Sequence, residues 1–329
     1  VLSHGPVLSH GLDHYYAFDE VDQRAVAKQV GASLAAGLHG HSASTTETGY
    51  FEIEKIPGLI GNGRFSVAFW LKPDRVDAGP VLSNEAEGTG RNGLLVEFVN
   101  GRLRWNNNTR WISGVSTIET QRTFQSGQWV HITMTNDGTQ RADGMKLYVD
   151  GVEQAVHVIR NTNSNAAKRD QGTAMRIGYS KHVGHWQGQL DELRFYTQRT
   201  LSPTEAKLLA VRETPESIAQ LPTPQRTTAQ NRLLRLAFLE RGADDAQRAL
   251  LTALQEAEAA RTAFEDSLPT TMIMRDLPGG RPSFVRLRGV YDSFGDPVQP
   301  GVPAIFPPLP NDASNDRLTF ACLLYTSPS

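Results

Sequence analysis

The chain has 329 residues, 39% hydrophobic and 21% charged, with a formal net charge of −2. This is the composition of an ordinary globular protein of about two domains, and its near-neutral balance excludes an electrostatic grip on nucleic acid or an anionic membrane. No apolar run reaches the ~20 residues that span a bilayer, and a single cysteine, Cys322, excludes an internal disulfide, a Cys-ligated zinc site and a c-type haem attachment within these residues.

The chain opens on Val1-Leu2-Ser3-His4-Gly5, repeated as Val7-Leu8-Ser9-His10-Gly11, and does not begin with Met; residues 1–11 read as a ragged fragment end. From Tyr15 to Tyr196 the signal is period two broken by turn residues, the pattern of an all-β sandwich. Phe65, Val67, Phe69 and Leu71 share one strand face, and Leu94, Val96 and Phe98 share another. Asn100-Gly101 and Asp150-Gly151 are two-residue hairpin signals. Trp129–Thr135 and Gly188–Tyr196 read as further strands. On the last, strict alternation places Asp191 on the face of Leu193 and Phe195. Ser202-Pro203-Thr204-Glu205 then supplies an N-cap, Pro at N1 and Glu at N3, which predicts a short helix. Pro215, Pro222 and Pro224 mark a linker. Helical patterns follow at Thr228–Arg241 and Asp244–Asp266, separated by Gly242, and look like a helical hairpin packed on a partner. Beyond Leu268 the chain is rich in Pro and Gly, with one strand predicted at Ser283–Arg288.

Five segments in order carry a family resemblance. They are His14-Tyr15-Tyr16-Ala17-Phe18-Asp19, Phe65–Pro73, Gln128-Trp129-Val130-His131-Ile132, Leu147-Tyr148-Val149-Asp150-Gly151, and Gly188–Tyr196 followed by Leu201-Ser202. Residues 12–211 thereby resemble the laminin-G-like, concanavalin-A-like jelly-roll family. The fold class expected is mainly β: an antiparallel jelly-roll β-sandwich, then a linker and helical hairpin (212–268), then an irregular, truncated C-terminal segment (269–321). That segment, through Pro269–Met274, Arg281-Pro282, Arg288–Asp292, Pro300–Ala304, Pro307–Pro310 and Asn315–Leu318, resembles the start of an uncharacterised C-terminal domain. That domain belongs to planctomycete-type surface proteins with a cytochrome-c-like module upstream. The resemblance implies a periplasmic or cell-surface location and such a module in the full-length protein. Residues 322–329 resemble translated sequencing-adapter read-through.

The jelly-roll resemblance makes a glycan or protein ligand the expected partner. Aromatic and amide residues suit a sugar: Trp111, Trp186 and Tyr179 with Asn107 are the candidate ligand contacts, flanked by Asn106 and Asn108. Trp105 and Trp129 are explained by strand packing. The family often holds calcium near the closing strand, so Asp191, joined by Asp19, is the candidate calcium pair. The alternative is that Asp191 ties down neighbouring backbone or pairs with an arginine. His39, His41, His182 and His185 lack the convergent spacing of a transition-metal site. Glu52, Glu54 and Glu97 are the carboxylates a glycosidase would need, but no Glu-x-Asp-x-x-Glu arrangement exists. The expected function is a ligand-binding module, with a structural spacer in a redox-associated polysaccharide-processing protein as the alternative and a glycoside hydrolase third.

Overall fold

The computed structural model describes residues 6–19, 26–59, 63–88, 91–110, 114–163, 173–269, 282–299, 301–309, 313 and 316–326. The chain divides into two units, Val1–Ala259 and Ala260–Ser329. In chain order the strands of the first unit begin with β1 (His14–Tyr16), β2 (Val26–Val30), β3 (Ser33–Ala36), β4 (His41–Thr45), β5 (Tyr50–Ile53) and β6 (Phe65–Pro73). They continue with β7 (Ala78–Ser83), β8 (Gly93–Val99), β9 (Arg102–Arg110), β10 (Gly114–Thr120), β11 (Val130–Asn136) and β12 (Met145–Val149). Then come β13 (Val152–Glu153), β14 (Val156–Asn161), β15 (Arg176–Ile177), β16 (Tyr179–Ser180), β17 (Gly184–His185) and β18 (Gly188–Tyr196).

Two antiparallel sheets make the sandwich. The first runs β13-β12-β11-β6-β18-β4-β3, with β1 paired to β18; the second runs β14-β10-β9-β8-β7-β15-β5-β2. Alternation sets which side chains meet between them. Phe65, Val67, Phe69 and Leu71 of the first sheet pack with Leu94, Val96, Phe98, Leu103 and Trp105 of the second. Phe65 meets Trp105 edge-on at 5.9 Å. Both expected hairpin turns form: Asn100 and Gly101 have φ of 51° and 79°, and Asp150 and Gly151 have 50° and 74°. That pair of positive φ values is what a two-residue turn requires of a right-twisted ribbon.

Strand β6 is buried along almost its whole length, because a helical layer covers the outer face of the first sheet. It consists of α1 (Pro203–Leu209), α2 (Pro215–Gln220) and α3 (Thr228–Arg241). Ser202 caps α1 in the expected capping box with Glu205. Within the stretch expected as linker, Thr214 caps α2, with Pro215 in its first turn. Leu208, Leu209, Ile218, Leu233 and Ala237 pack on Ala68 and Tyr196. Val7 and Leu8 join this layer and are buried, so residues 7–8 are built into the body rather than trailing from it. Leu8 and Ser9 donate their amides to Glu240 on α3 at 3.2 and 3.1 Å. Helix α4 (Asp245–Ser267) follows, and its Leu250, Leu254 and Phe264 are exposed to solvent.

The second unit holds a hairpin of β19 (Ser283–Arg286) and β20 (Phe294–Val298), and α5 (Arg317–Thr326). The predicted strand to Arg288 is cut short at Arg286 by a turn through Leu287–Gly289, where Arg288 takes φ 53°. The Arg286 guanidinium lies 4.1 Å from the centroid of the Phe294 ring.

Candidate functional site

The outer face of the second sheet carries the polar half of each alternating strand. Cross-strand register aligns Glu52, Arg176, Ser83, Leu95, Asn106 and Thr117 in one row, and Glu97, Arg104 and Glu119 in the next. Opposite charges and amides interleave along these rows. Arg176 bridges Glu52 at 2.9 Å and Glu87 at 2.7 Å, and Arg104 holds Glu119 at 2.7 Å. Asn106 donates to Glu97 at 2.9 Å and accepts from Thr117 at 2.8 Å. Glu85, itself buried, accepts from Ser180 at 3.0 Å and Asn108 at 3.3 Å and pairs with Arg91 at 3.1 Å. Burial holds the Glu97 carboxyl above the ordinary glutamate range, against the lowering pull of Asn106 and Arg104.

At one end of these rows stand three aromatic rings. Tyr50 points outward from β5 beside the core residue Phe51. Tyr179 stacks on it at 4.7 Å and 25°. His185, across the β16–β17 hairpin, lies 4.6 Å from Tyr179 and 6.0 Å from Tyr50. All three are half-buried, and the Arg176 guanidinium sits 6.0 Å from the Tyr179 centroid. A half-buried aromatic cluster beside a fixed guanidinium–carboxylate network can stack on an apolar ring face while its rim bonds hydroxyls.

The other residues singled out from sequence fall elsewhere. Trp186 is 1% exposed; it stacks on Phe98 at 6.1 Å and donates to the Arg75 carbonyl at 2.8 Å. Its loop position suggested a surface ring, but the indole plugs the core and presents no face to a solvent ligand. Asn107 shares the inner face of β9 with Leu103 and Trp105 and is 0% exposed. Its amide meets no hydrogen-bond partner among the described residues. Asn106 and Asn108, one residue either side, are the amides on the outer face. Trp111 lies outside the described residues.

Asp19 and Asp191 do come together, around the turn between β3 and β4. Asp191 Oδ2 accepts the Leu38 and His39 amides at 2.9 and 3.0 Å, and its Oδ1 accepts that of Glu192 at 2.8 Å. Asp19 Oδ1 accepts the His41 amide at 2.8 Å. Asp191 is 0% exposed, but not on the face that alternation gave it. A register shift between Asp191 and Arg194 sets Asp191 opposite Trp70 on the outer face, while Leu190 and Leu193 both enter the core. As arranged, the two carboxylates clamp the backbone of this turn, which is the alternative reading of Asp191. Gly40 sits inside the clamp with φ 64°, and a Cβ there would run into the Asp19 carboxylate. Gly40→Ala is therefore expected to cost about 1–2 kcal/mol in urea unfolding; an unchanged midpoint would show the turn to be slack.

Sequence reading reached Tyr179 but missed Tyr50 and Arg176. The period-two step from Phe51 and Ile53 could have exposed Tyr50 and Glu52 as an outward pair. Nothing local could have brought Arg176 to Glu52, 124 residues away.

Residues 45–207 match the family described as the concanavalin A-like lectin/glucanases superfamily, laminin-G type. No curated protein matches the chain. Among solved structures, the chain is similar to domain 4 of AbnA, a GH43 extracellular arabinanase from Geobacillus stearothermophilus, in complex with arabinotriose. Identity there is 20%, over 61% of this chain and 98% of that one, at a TM-score of 0.46. A native heptameric SAP-like pentraxin from Limulus polyphemus shows 19% identity over 45% and 70% of the two chains, at 0.35. A botulinum neurotoxin type C structure, described by cell entry dependent on two ganglioside molecules, shows 10% identity over 56% and 45%, at 0.42. With its two antiparallel sheets and the match across residues 45–207, the first unit is an antiparallel β-sandwich similar over that stretch to the concanavalin A-like lectin/glucanases superfamily.

Proposed function

We propose that this jelly roll is a glycan-binding module that takes an uncharged sugar chain on the outer face of its second sheet. The observation that carries the reading is the half-buried cluster of Tyr50, Tyr179 and His185 set against the Arg176–Glu52–Glu87 network. Aromatic rings stack on the C–H face of a pyranose or furanose ring, and charge-assisted donors and acceptors fix its hydroxyls. Because the charges on this face pair with one another, an uncharged glycan loses the least on binding.

Tyr179→Ala is expected to weaken binding to a responsive neutral polysaccharide at least ~10-fold, about 1.4 kcal/mol, in affinity electrophoresis across a polysaccharide panel. Equal retention of wild type and Tyr179→Ala by every polysaccharide would sink the platform.

A second reading, a spacer domain within a larger extracytoplasmic protein, is favoured by how completely the outer-face carboxylates are taken up by arginine and amide partners. The periplasmic or cell-surface location and the upstream cytochrome-c-like module belong to this proposal, and rest on the resemblance of residues 269–321.

A further inference from the structure

The opposite face of the sandwich holds a pocket of ≈ 160 Å³, half open to solvent, between the first sheet and the helical layer. Its floor is Trp70, Glu192 and Arg194, its side Tyr15 and His39, and its roof Leu208, Leu209 and Leu233. The floor is assembled by the register shift in β18. Bulges re-aim side chains, and Glu192 within this one takes φ 54°, a left-handed conformation uncommon for a residue with a side chain. Strain of that kind persists where the surroundings over-determine it, and clusters at functional sites.

The charged groups on the floor are held in place by one another. Arg194 meets Glu192 at 2.6 Å and donates to the Val7 carbonyl at 2.7 Å. Its guanidinium lies 5.0 Å from the Tyr15 ring centroid, and the Tyr15 hydroxyl donates to Glu192 at 2.7 Å. His39 is positioned through its backbone, which Asp191 grips. At the mouth, Arg241 stands 3.6 Å from Glu216.

We propose that this cavity binds a single small, uncharged, polyhydroxylated ring, at a site independent of the aromatic platform on the second sheet. Size, polarity and charge each narrow the occupant. A cavity of about 150 Å³ holds a benzene ring, so this half-open pocket takes a single ring whose hydroxyl substituents extend toward its mouth. A buried ion pair, a phenol and an imidazole offer donors and acceptors that a hydrocarbon would leave unmet. Arg194 and Glu192 neutralise each other, so neither an anion nor a cation finds an unpaired partner on the floor. Trp70 and the leucines supply the flat apolar wall that the C–H face of such a ring needs.

The test is saturation-transfer NMR on the full chain with glucose, galactose, xylose and arabinose, against glucuronate and glucosamine as charged controls. Val211→Trp fills the mouth from a half-buried position, and Leu209→Phe fills the roof; each variant's melting is recorded to confirm folding. The expected result is a signal from at least one neutral sugar that falls at least tenfold in Val211→Trp or Leu209→Phe and persists in Tyr179→Ala. No signal from any neutral sugar overturns the proposal, as does a signal undiminished in both filled variants. Preference for glucuronate or glucosamine overturns the uncharged class. A signal lost only in Tyr179→Ala overturns this site while supporting the platform.

Discussion

Arg194→Met is expected to destabilise the protein by about 3–5 kcal/mol, the usual consequence of removing one partner from a buried ion pair. Arg194 and Glu192 have side chains 11% and 13% exposed. Burial pushes Glu192 up, but the Arg194 guanidinium and the Tyr15 hydroxyl hold it below the ordinary glutamate range. Without Arg194 that carboxylate keeps its desolvation cost and loses the charge that offsets it. The double variant Arg194→Met with Glu192→Gln is expected to recover most of the loss, since an uncharged pair of similar shape removes the penalty from both sides. Urea unfolding of the four proteins forms the cycle. Single-variant losses that simply add in the double variant would show that the two charges do not interact.

His131 and Asp191 are expected to impose opposite pH dependences on folding. Burial lowers the His131 imidazole from 6.5 to about 3. Below pH 6.5 the unfolded chain binds a proton that the native state refuses, so this contribution is full above pH 6.5 and is lost as pH falls toward 3. Burial raises the Asp191 carboxyl from 3.8 to about 7, against the lowering pull of the His39 amide. Here the native state keeps a proton that the unfolded chain has released. Its contribution is full below pH 3.8 and is lost as pH rises toward 7. Each is on the order of 4 kcal/mol at ~1.4 kcal/mol per unit, and between pH 4 and 6.5 the two slopes oppose each other. Asp191→Asn should therefore gain stability relative to wild type as pH rises through this window, and His131→Gln should lose it. Urea midpoints at several pH values measure both; variant curves parallel to wild type would mean that neither group titrates differently on folding.

The readings that succeeded depend on neighbours in sequence. Asn100-Gly101, Asp150-Gly151 and the Ser202–Glu205 box are decided within four residues, and each forms as read. The alternating face of β6 was legible too, but only one face. Ala68 and Trp70 are buried as well, because α1 and α3 cover them, and no local pattern announces a second layer. Asp191 failed for a sharper reason. Alternation counts residues, and one extra residue in β18 reverses the count, so the side chain assigned to the core faces Trp70 instead. Trp186 failed because a ring in a short loop can fold back as readily as it can project. At the platform, the aromatic identities were visible, while the pairing of Arg176 with Glu52 depends on strand order that only the tertiary fold sets.

Leu8 reaches Glu240 across 232 residues of sequence. During synthesis, this contact cannot form until α3 has left the ribosome, although every strand of the sandwich precedes α3 in the chain. Through that interval the outer face of the first sheet, with Ala68 and Trp70, has no helix α3 to shelter it, and the Leu8 and Ser9 amides lack Glu240 as an acceptor. Long-range closures of this kind come late in folding and leave apolar surface available to other chains meanwhile. The nascent protein thus passes through a stage with a finished strand order and an unfinished exterior, when a chaperone has most to protect.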